Sequence, residues 1–150
     1  MEPVIVVVGP TASGKTKLAI EIAKLINGSI VSADSMQIYK YMDIGTAKPD
    51  EAERSGIRHY MIDEVYPDEN FSVAKYRELA LYYISKIIKE GGRPIVAGGT
   101  GLYINSLIYN IKFSQTICDE DLRASLKKEA EEKGNRYLYE KLKAIDPDAA

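Results

Sequence analysis

Cysteine is almost missing from this chain: Cys118 is the only one, so neither an internal disulfide nor a cysteine metal knuckle can form, which fits a reducing compartment. The plainest reading of Cys118 is a half-buried thiol. Histidine is equally scarce, with His59 alone. No apolar run approaches the ~18 residues that a membrane span requires, and no charged-then-apolar leader precedes the first apolar stretch. A cytoplasmic protein with no membrane partner is therefore expected. Neither sign of charge dominates. A formal charge of -2 and a pI of about 5.5 argue against a polyanion-binding surface spread over the whole molecule, so any nucleic-acid contact has to be local. Internal repeats and low-complexity segments are also lacking. What remains is about one domain, 150 residues long, with ordinary apolar content and enough length for a real core.

The strongest positive signal is the run Gly9-Pro10-Thr11-Ala12-Ser13-Gly14-Lys15-Thr16, which fits GxxxxGK[ST]. It follows the apolar stretch Val4 to Val8 and opens an amphipathic segment, so it sits between a strand and a helix. Successive N–H groups of such a loop converge on phosphate oxygens because the following helix presents its N-terminus to them. Lys15 would reach the terminal phosphates and the Thr16 hydroxyl would ligate Mg2+. A di- or triphosphate ligand is implied.

Farther along, Leu18, Ile22, Leu25 and Ile26 recur at helical spacing, and Asn27-Gly28 supplies a stop. Residues 29–32 read as a second strand ending at Asp34, and 34–49 as a long ordered loop across the carboxyl ends of the strands. A short helix over 49–54, a third strand over 58–62 and a turn at 67–70 follow. Ser72 reads as an N-cap for a helix whose apolar face runs from Val73 through Tyr76, Ala80, Ile84 and Ile87 to Ile88, closed by Gly91-Gly92. A buried fourth strand over 94–97 leads through Gly98-Gly99-Thr100-Gly101 into a helix ending near Tyr109. The expected fold is α/β: a doubly wound, P-loop parallel sheet over 1–113 with ligands at the carboxyl ends of its strands, and an appended C-terminal helical segment over 114–150.

Phosphoryl-transfer enzymes with this loop add a Mg2+-binding carboxylate at a strand end. Asp34 and Asp63 both qualify, and spacing alone does not choose between them. The residues around Asp34 carry more information. The segment Asp34-Ser35-Met36-Gln37-Ile38-Tyr39, continuing through Met42-Asp43-Ile44-Gly45-Thr46-Ala47-Lys48-Pro49, closely resembles the signature of the tRNA dimethylallyltransferases, also called isopentenyltransferases. The phosphate loop, His59 to Asp63, and Gly98-Gly99-Thr100-Gly101-Leu102-Tyr103 agree with the same family, in order.

That resemblance implies prenyl transfer in place of phosphoryl transfer. Residues Gly9 to Thr16 would then hold the diphosphate of dimethylallyl diphosphate, with Mg2+ on Thr16, and the acceptor would be the tRNA adenosine just 3′ of the anticodon, position 37. It assigns Asp34 as the catalytic base toward the adenine amine and Thr100, beside it, as a hydrogen-bonding partner to that amine or to the diphosphate; a helix N-cap is the other reading of Thr100, and the two are compatible. Asp34, Ser35, Met36, Gln37 and Thr100 would meet the extruded base, with the Gln37 amide reading its edge. Arg123 would contact tRNA, or else be a solvated arginine on a charged helix. Lys48 and Arg58 are weaker phosphate contacts, and His59 fits a structural hydrogen bond better than acid–base work. Tyrosines of the long helix fill the core, whereas Tyr39 and Tyr41 could stack on a base or shield the allyl group.

In the family the stretch ending at Ala150 leads into further helices that grip tRNA, so a truncated parent enzyme is expected, with the fragment weakly active alone, and a monomer. A small-molecule or nucleotide kinase using ATP is the rival reading, weakened because no arginine lies between Gly101 and Arg123 to form a lid. A nucleotide-responsive, non-catalytic module is the third.

Overall fold

The computed structural model describes residues 3–109, 111, 113 and 119–150. Cys118 and the start of the loop before Arg123 lie outside them. The chain divides into two compact units, Met1–Phe113 and Ser114–Ala150.

In the first unit β1 (Ile5–Val8), β2 (Gly28–Ala33), β3 (His59–Tyr60) and β4 (Arg93–Gly98) form one parallel sheet in the order β1-β4-β2-β3. Parallel strands need crossovers, which α1 (Lys15–Ile26), α2 (Glu51–Arg54) and α3 (Val73–Lys89) help to supply, and α4 (Gly101–Ile108) follows β4. Side chains alternate across the sheet. Ile30 and Ile95 therefore pack with Ala19, Ile20 and Ala23 of α1. Their neighbours Val31 and Val96 pack with Tyr76, Ala80 and Ile87 of α3 and Ile104 of α4 on the opposite face. Helices cover both faces, as expected of a doubly wound α/β sheet. The β1 border keeps Ile5, Val6 and Val8 partly open, at 37–56% exposure.

Local chemistry sets the element ends. Ser72 caps α3 by accepting the Lys75 N–H at 3.3 Å, as its sequence position suggested. Asp50 and Glu53 form a reciprocal capping box on α2. Asn27, with φ of 54°, takes the left-handed conformation that ends α1. The third strand is shorter than the expected 58–62, because Met61 and Asp63 both have positive φ (63° and 57°), which breaks an extended ladder. The buried face of α1 also differs from the spacing argument. Leu18 and Leu25 are 54% and 84% exposed, while the small Ala19 and Ala23 lie against the sheet with Ile20 and let the helix approach closely.

The second unit pairs α5 (Glu120–Lys133) with α6 (Asn135–Ile145) around Gly134. Asp119 caps α5 by accepting the Leu122 N–H at 2.9 Å, and Lys141 of α6 donates to Glu129 of α5 at 2.8 Å. No residue of either helix is fully buried.

Candidate functional site

Val8, Gly98 and Ala33 form one row across β1, β4 and β2. The first residues beyond that row are Gly9, Gly99 and Asp34, so three of the segments singled out in the sequence leave the sheet side by side. The loop after β1 turns through Ala12 (φ 62°) and Gly14 (φ 82°) into α1. No side chain caps α1, which leaves its first-turn N–H groups available to an anion. The Lys15 ammonium folds back and donates to the Pro10 carbonyl at 2.6 Å. Gly99 runs beside it, since a Cβ there would lie 3.9 Å from Lys15 Nζ and 3.3 Å from the Gly9 carbonyl oxygen.

A cleft of about 720 Å3 opens above these strand ends. Thr11, Ala12, Gly14, Lys15 and Thr16 line one side; Asp34, Met36, Gln37 and the stretch Gly45 to Ala47 line another; Ala97 and Gly98 lie at its base. Gly9, Pro10, Ser13, Ser35 and Thr100 are not among its lining residues, and Arg123 belongs to the second unit. Glu21 and Glu53 also line the cleft, and nothing in the sequence pattern marked them.

Asp34 is half-buried and closes an Asx turn: its Oδ1 accepts the N–H groups of Met36 (2.9 Å) and Gln37 (3.3 Å). Among the described residues no donor is bonded to Oδ2. Thr100 occupies the N-cap position of α4, yet its side chain makes no capping bond. Its Oγ1 instead accepts the Ser35 N–H at 2.9 Å, and its own N–H donates to the Ala33 carbonyl at 3.0 Å. Thr100 thus sits at the expected N-cap position, and its side chain forms a clamp between the loop after β4 and the turn that carries Asp34. Gly98 makes that clamp possible, because a Cβ at this position would lie 2.2 Å from the Ala33 carbonyl oxygen. Tyr76 adds a bond from its hydroxyl to the Ser32 carbonyl at 3.2 Å and stacks on Tyr103 at 3.9 Å between centroids. Burial first, then the nearness of Tyr39 and of the Asp34 carboxylate, hold the Tyr103 phenol above its ordinary pKa.

The Gln37 side chain is buried and fully engaged. Its Nε2 donates to the carbonyls of Thr46 (3.3 Å) and Ala47 (3.0 Å), and its Oε1 accepts the Ser32 hydroxyl at 3.2 Å. Its amide is therefore tied to the cleft wall. Lys48 does not face the cleft as a phosphate contact would: its ammonium is bonded to Asp43, Asp63 and the Tyr39 carbonyl. Arg58 lies over the Tyr60 ring, 4.8 Å from its centroid. His59 has the structural bond expected of it, between Nδ1 and the Ile57 carbonyl at 2.8 Å, while the buried Nε2 has no hydrogen-bond partner among the described residues. Burial, with a smaller contribution from Arg54, lowers its pKa against the opposing effect of that bond. Tyr39 packs against the core, whereas Tyr41 is 77% exposed beside Tyr66, on whose ring Lys40 sits. Arg123 is exposed and 3.7 Å from Glu120.

Comparison with known proteins identifies the family of the chain. Residues 37–150 match the family described as IPP transferase. The tRNA dimethylallyltransferase of Acetivibrio thermocellus is 72% identical over the whole chain and 48% of its own length; that of Alkaliphilus oremlandii is 60% identical over 97% of the chain and 47% of its own. The crystal structure of the full-length tRNA isopentenylpyrophosphate transferase from Bacillus halodurans superposes with a TM-score of 0.75 at 44% identity, covering 99% of this chain and 49% of that one. A eukaryotic dimethylallyltransferase captured acting on tRNA gives a TM-score of 0.80 at 29% identity, covering 99% of this chain and 37% of that one. The chain spans about half the length of the curated relatives it matches. The family match over residues 37–150 and a relative 72% identical along the whole chain place it plainly: the chain belongs to the IPP transferase family.

Proposed function

We propose that this chain forms the donor-binding and base-facing part of a transferase that moves a dimethylallyl group from dimethylallyl diphosphate to N6 of adenosine 37 in tRNA. One observation carries the reading: the residues suited to a diphosphate, Lys15 and Thr16, and the carboxylate suited to an amine, Asp34, line the same cleft. The names of the relatives support it.

The chemistry divides accordingly. The N–H groups of the loop Gly9 to Thr16 and the Lys15 ammonium stabilise the charge that grows on the departing diphosphate. N6 of the adenine forms a bond to the allylic carbon as that carbon's bond to the diphosphate oxygen breaks, the bonding pair leaving with the oxygen. The N6 proton passes to Asp34, whose Oδ1 is fixed by the Met36 and Gln37 N–H groups while, among the described residues, no donor is bonded to Oδ2. Thr100 acts through Ser35 by holding that turn in place. Mg2+ suits the donor set, because it takes one or two protein oxygens and fills its shell with phosphate oxygens and water. The Thr16 hydroxyl in the cleft is such an oxygen, and the ion would supply further neutralisation of the diphosphate. Arg123 on α5 would meet the tRNA backbone, and the enzyme would work as a cytoplasmic monomer; among the described residues no helix is long and apolar enough to cross a membrane.

The test is to incubate the full-length enzyme with labelled dimethylallyl diphosphate, Mg2+ and unmodified tRNA, then digest and separate the nucleosides. Label in N6-dimethylallyladenosine is the expected result. Transfer that requires ATP and yields a phosphorylated product would overturn the proposal in favour of a kinase.

A further inference from the structure

Lys48 lies between two cleft-lining residues, Ala47 and Pro49, yet its side chain is only 4% exposed and is aimed elsewhere. Its ammonium has three N–H donors, and three acceptors surround it: the Tyr39 carbonyl at 2.9 Å, Asp43 Oδ1 at 2.7 Å and Asp63 Oδ1 at 2.6 Å. Those acceptors come from the start of the loop, its middle, and the chain just after β3. Arg54 stands 4.0 Å from the other oxygen of Asp63.

The same wall is held from its other side. Gln37 donates to the Thr46 and Ala47 carbonyls, the Thr46 hydroxyl donates to the Met42 carbonyl at 2.7 Å, and the Asp63 N–H returns to the Gln37 carbonyl at 3.2 Å. Gln37 in turn is anchored to Ser32 of β2. The stretch Gly45 to Ala47 therefore has two supports, a neutral amide and a buried cation. Burial by itself would lower the lysine's pKa, but the hydrogen bonds and charges of Asp43 and Asp63 outweigh it and raise the value. The cation persists at any pH where the enzyme would work.

We infer that Lys48 is a positioning residue for the acceptor half of the cleft: by gathering Tyr39, Asp43 and Asp63 around one ammonium it fixes the Gly45 to Ala47 wall opposite the diphosphate loop. The inference rests on the prenyl-transfer reading above. Lysine suits the place because its ammonium is a compact point charge whose donors diverge toward three separate acceptors, whereas a planar guanidinium presents its donors in one plane.

The experiment compares Lys48→Met and Lys48→Arg in the full-length enzyme. Steady-state kinetics are measured with tRNA and dimethylallyl diphosphate varied separately, and hydrogen exchange is followed in peptides covering 37–48 and 9–20. Lys48→Met strands two carboxylates beside each other and lets the wall shift. A misplacement near 1 Å costs up to about 100-fold in rate, so kcat/KM for tRNA is expected to fall about 10- to 100-fold. The KM for dimethylallyl diphosphate should stay within about threefold, since the loop around Lys15 is not part of the brace. Exchange should accelerate in 37–48 and not in 9–20. Lys48→Arg keeps the charge and the fold, and should show the same split to a smaller degree.

An equal rise in both KM values, or unchanged tRNA kinetics in both variants, would overturn the inference, as would unaltered exchange in 37–48. Should the parent enzyme fail to prenylate tRNA, the reading of function falls; the exchange comparison then still decides whether the brace exists. If Lys48→Met does not fold, Lys48→Arg decides the question by its kinetic split.

Discussion

Replacing Gly98 by alanine tests whether the strand-end clamp is what holds the site together. A Cβ on Gly98 would lie 2.2 Å from the Ala33 carbonyl oxygen, 2.4 Å from its carbon and 2.7 Å from its Cα. All three are backbone atoms of the adjacent strand, so no side chain can swing aside to make room. Relief requires β2 and β4 to separate at their last shared row. Two bonds are lost with that movement, from Thr100 N–H to the Ala33 carbonyl (3.0 Å) and from Ser35 N–H to Thr100 Oγ1 (2.9 Å). Overpacking of a tight core costs about 1–3 kcal/mol and each net hydrogen bond about 0.5–1.5, so the substitution should cost about 2–6 kcal/mol. Domain stabilities are about 5–15 kcal/mol, which makes this a large fraction. Gly101→Ala is the matched control. Gly101 opens α4 with nothing within 4 Å of a built Cβ, so alanine there should be neutral or stabilising by up to about 1 kcal/mol. Urea unfolding of the parent and both variants measures the difference. If Gly98→Ala unfolds within about 0.5 kcal/mol of Gly101→Ala, the close approach of these strands is not what the structure says it is.

Other perturbations reach different links of the same chain of reasoning. Asp34→Asn keeps an oxygen for the Met36 and Gln37 N–H groups and so should preserve the turn and donor binding by calorimetry, while single-turnover transfer to tRNA falls by about two to four orders of magnitude; normal turnover would remove Asp34 from the mechanism. Tyr76→Phe deletes the buried bond to the Ser32 carbonyl and should lower stability by about 1 kcal/mol in thermal unfolding; no change would mean that the bond contributes nothing net. His59 has a folded pKa below its unfolded value, so the unfolded chain binds the proton more readily; stability is complete above about pH 6.5 and declines as pH drops from there toward the lower folded value. His59→Asn should flatten urea-midpoint profiles as pH falls below about 6.5, and an unchanged slope would assign that decline to other groups.

The elements were legible where one local rule sufficed. A capping serine at 72 and an apolar stripe from Tyr76 to Ile87 gave α3 its start and its buried face, and α2 falls inside the short helix expected over 49–54, although its capping box of Asp50 and Glu53 went unread. α1 was harder to read by hydrophobicity, because a helix pressed close to a sheet uses alanine at the contact and leaves Leu18 and Leu25 outside. The third strand was overestimated because apolar residues such as Met61 reveal nothing of a positive φ. At the site, the motifs singled out Lys15, Thr16 and the carboxylate-bearing Asp34, all of which line the cleft. They could not tell side chains that face the cleft from those that brace it. Gln37, Lys48 and Thr100 are polar residues inside motifs, and only their partners in space reveal that each is bonded to backbone or carboxylate groups of the surrounding loops. Glu21 and Glu53 reach the cleft by helix geometry alone, with no motif to announce them.

The strand order has a metric consequence. Because β4 is inserted between β1 and β2, the points where the chain leaves toward Gly9 and toward Asp34 stand two interstrand intervals apart, about 10 Å. Were β1 and β2 direct neighbours, that gauge would be halved, and the loop after β1 would crowd the Asp34 carboxylate. The sheet thus works as a ruler whose middle graduation is a glycine, and it fixes the distance between the loop after β1 and the strand-end carboxylate before any side chain is chosen.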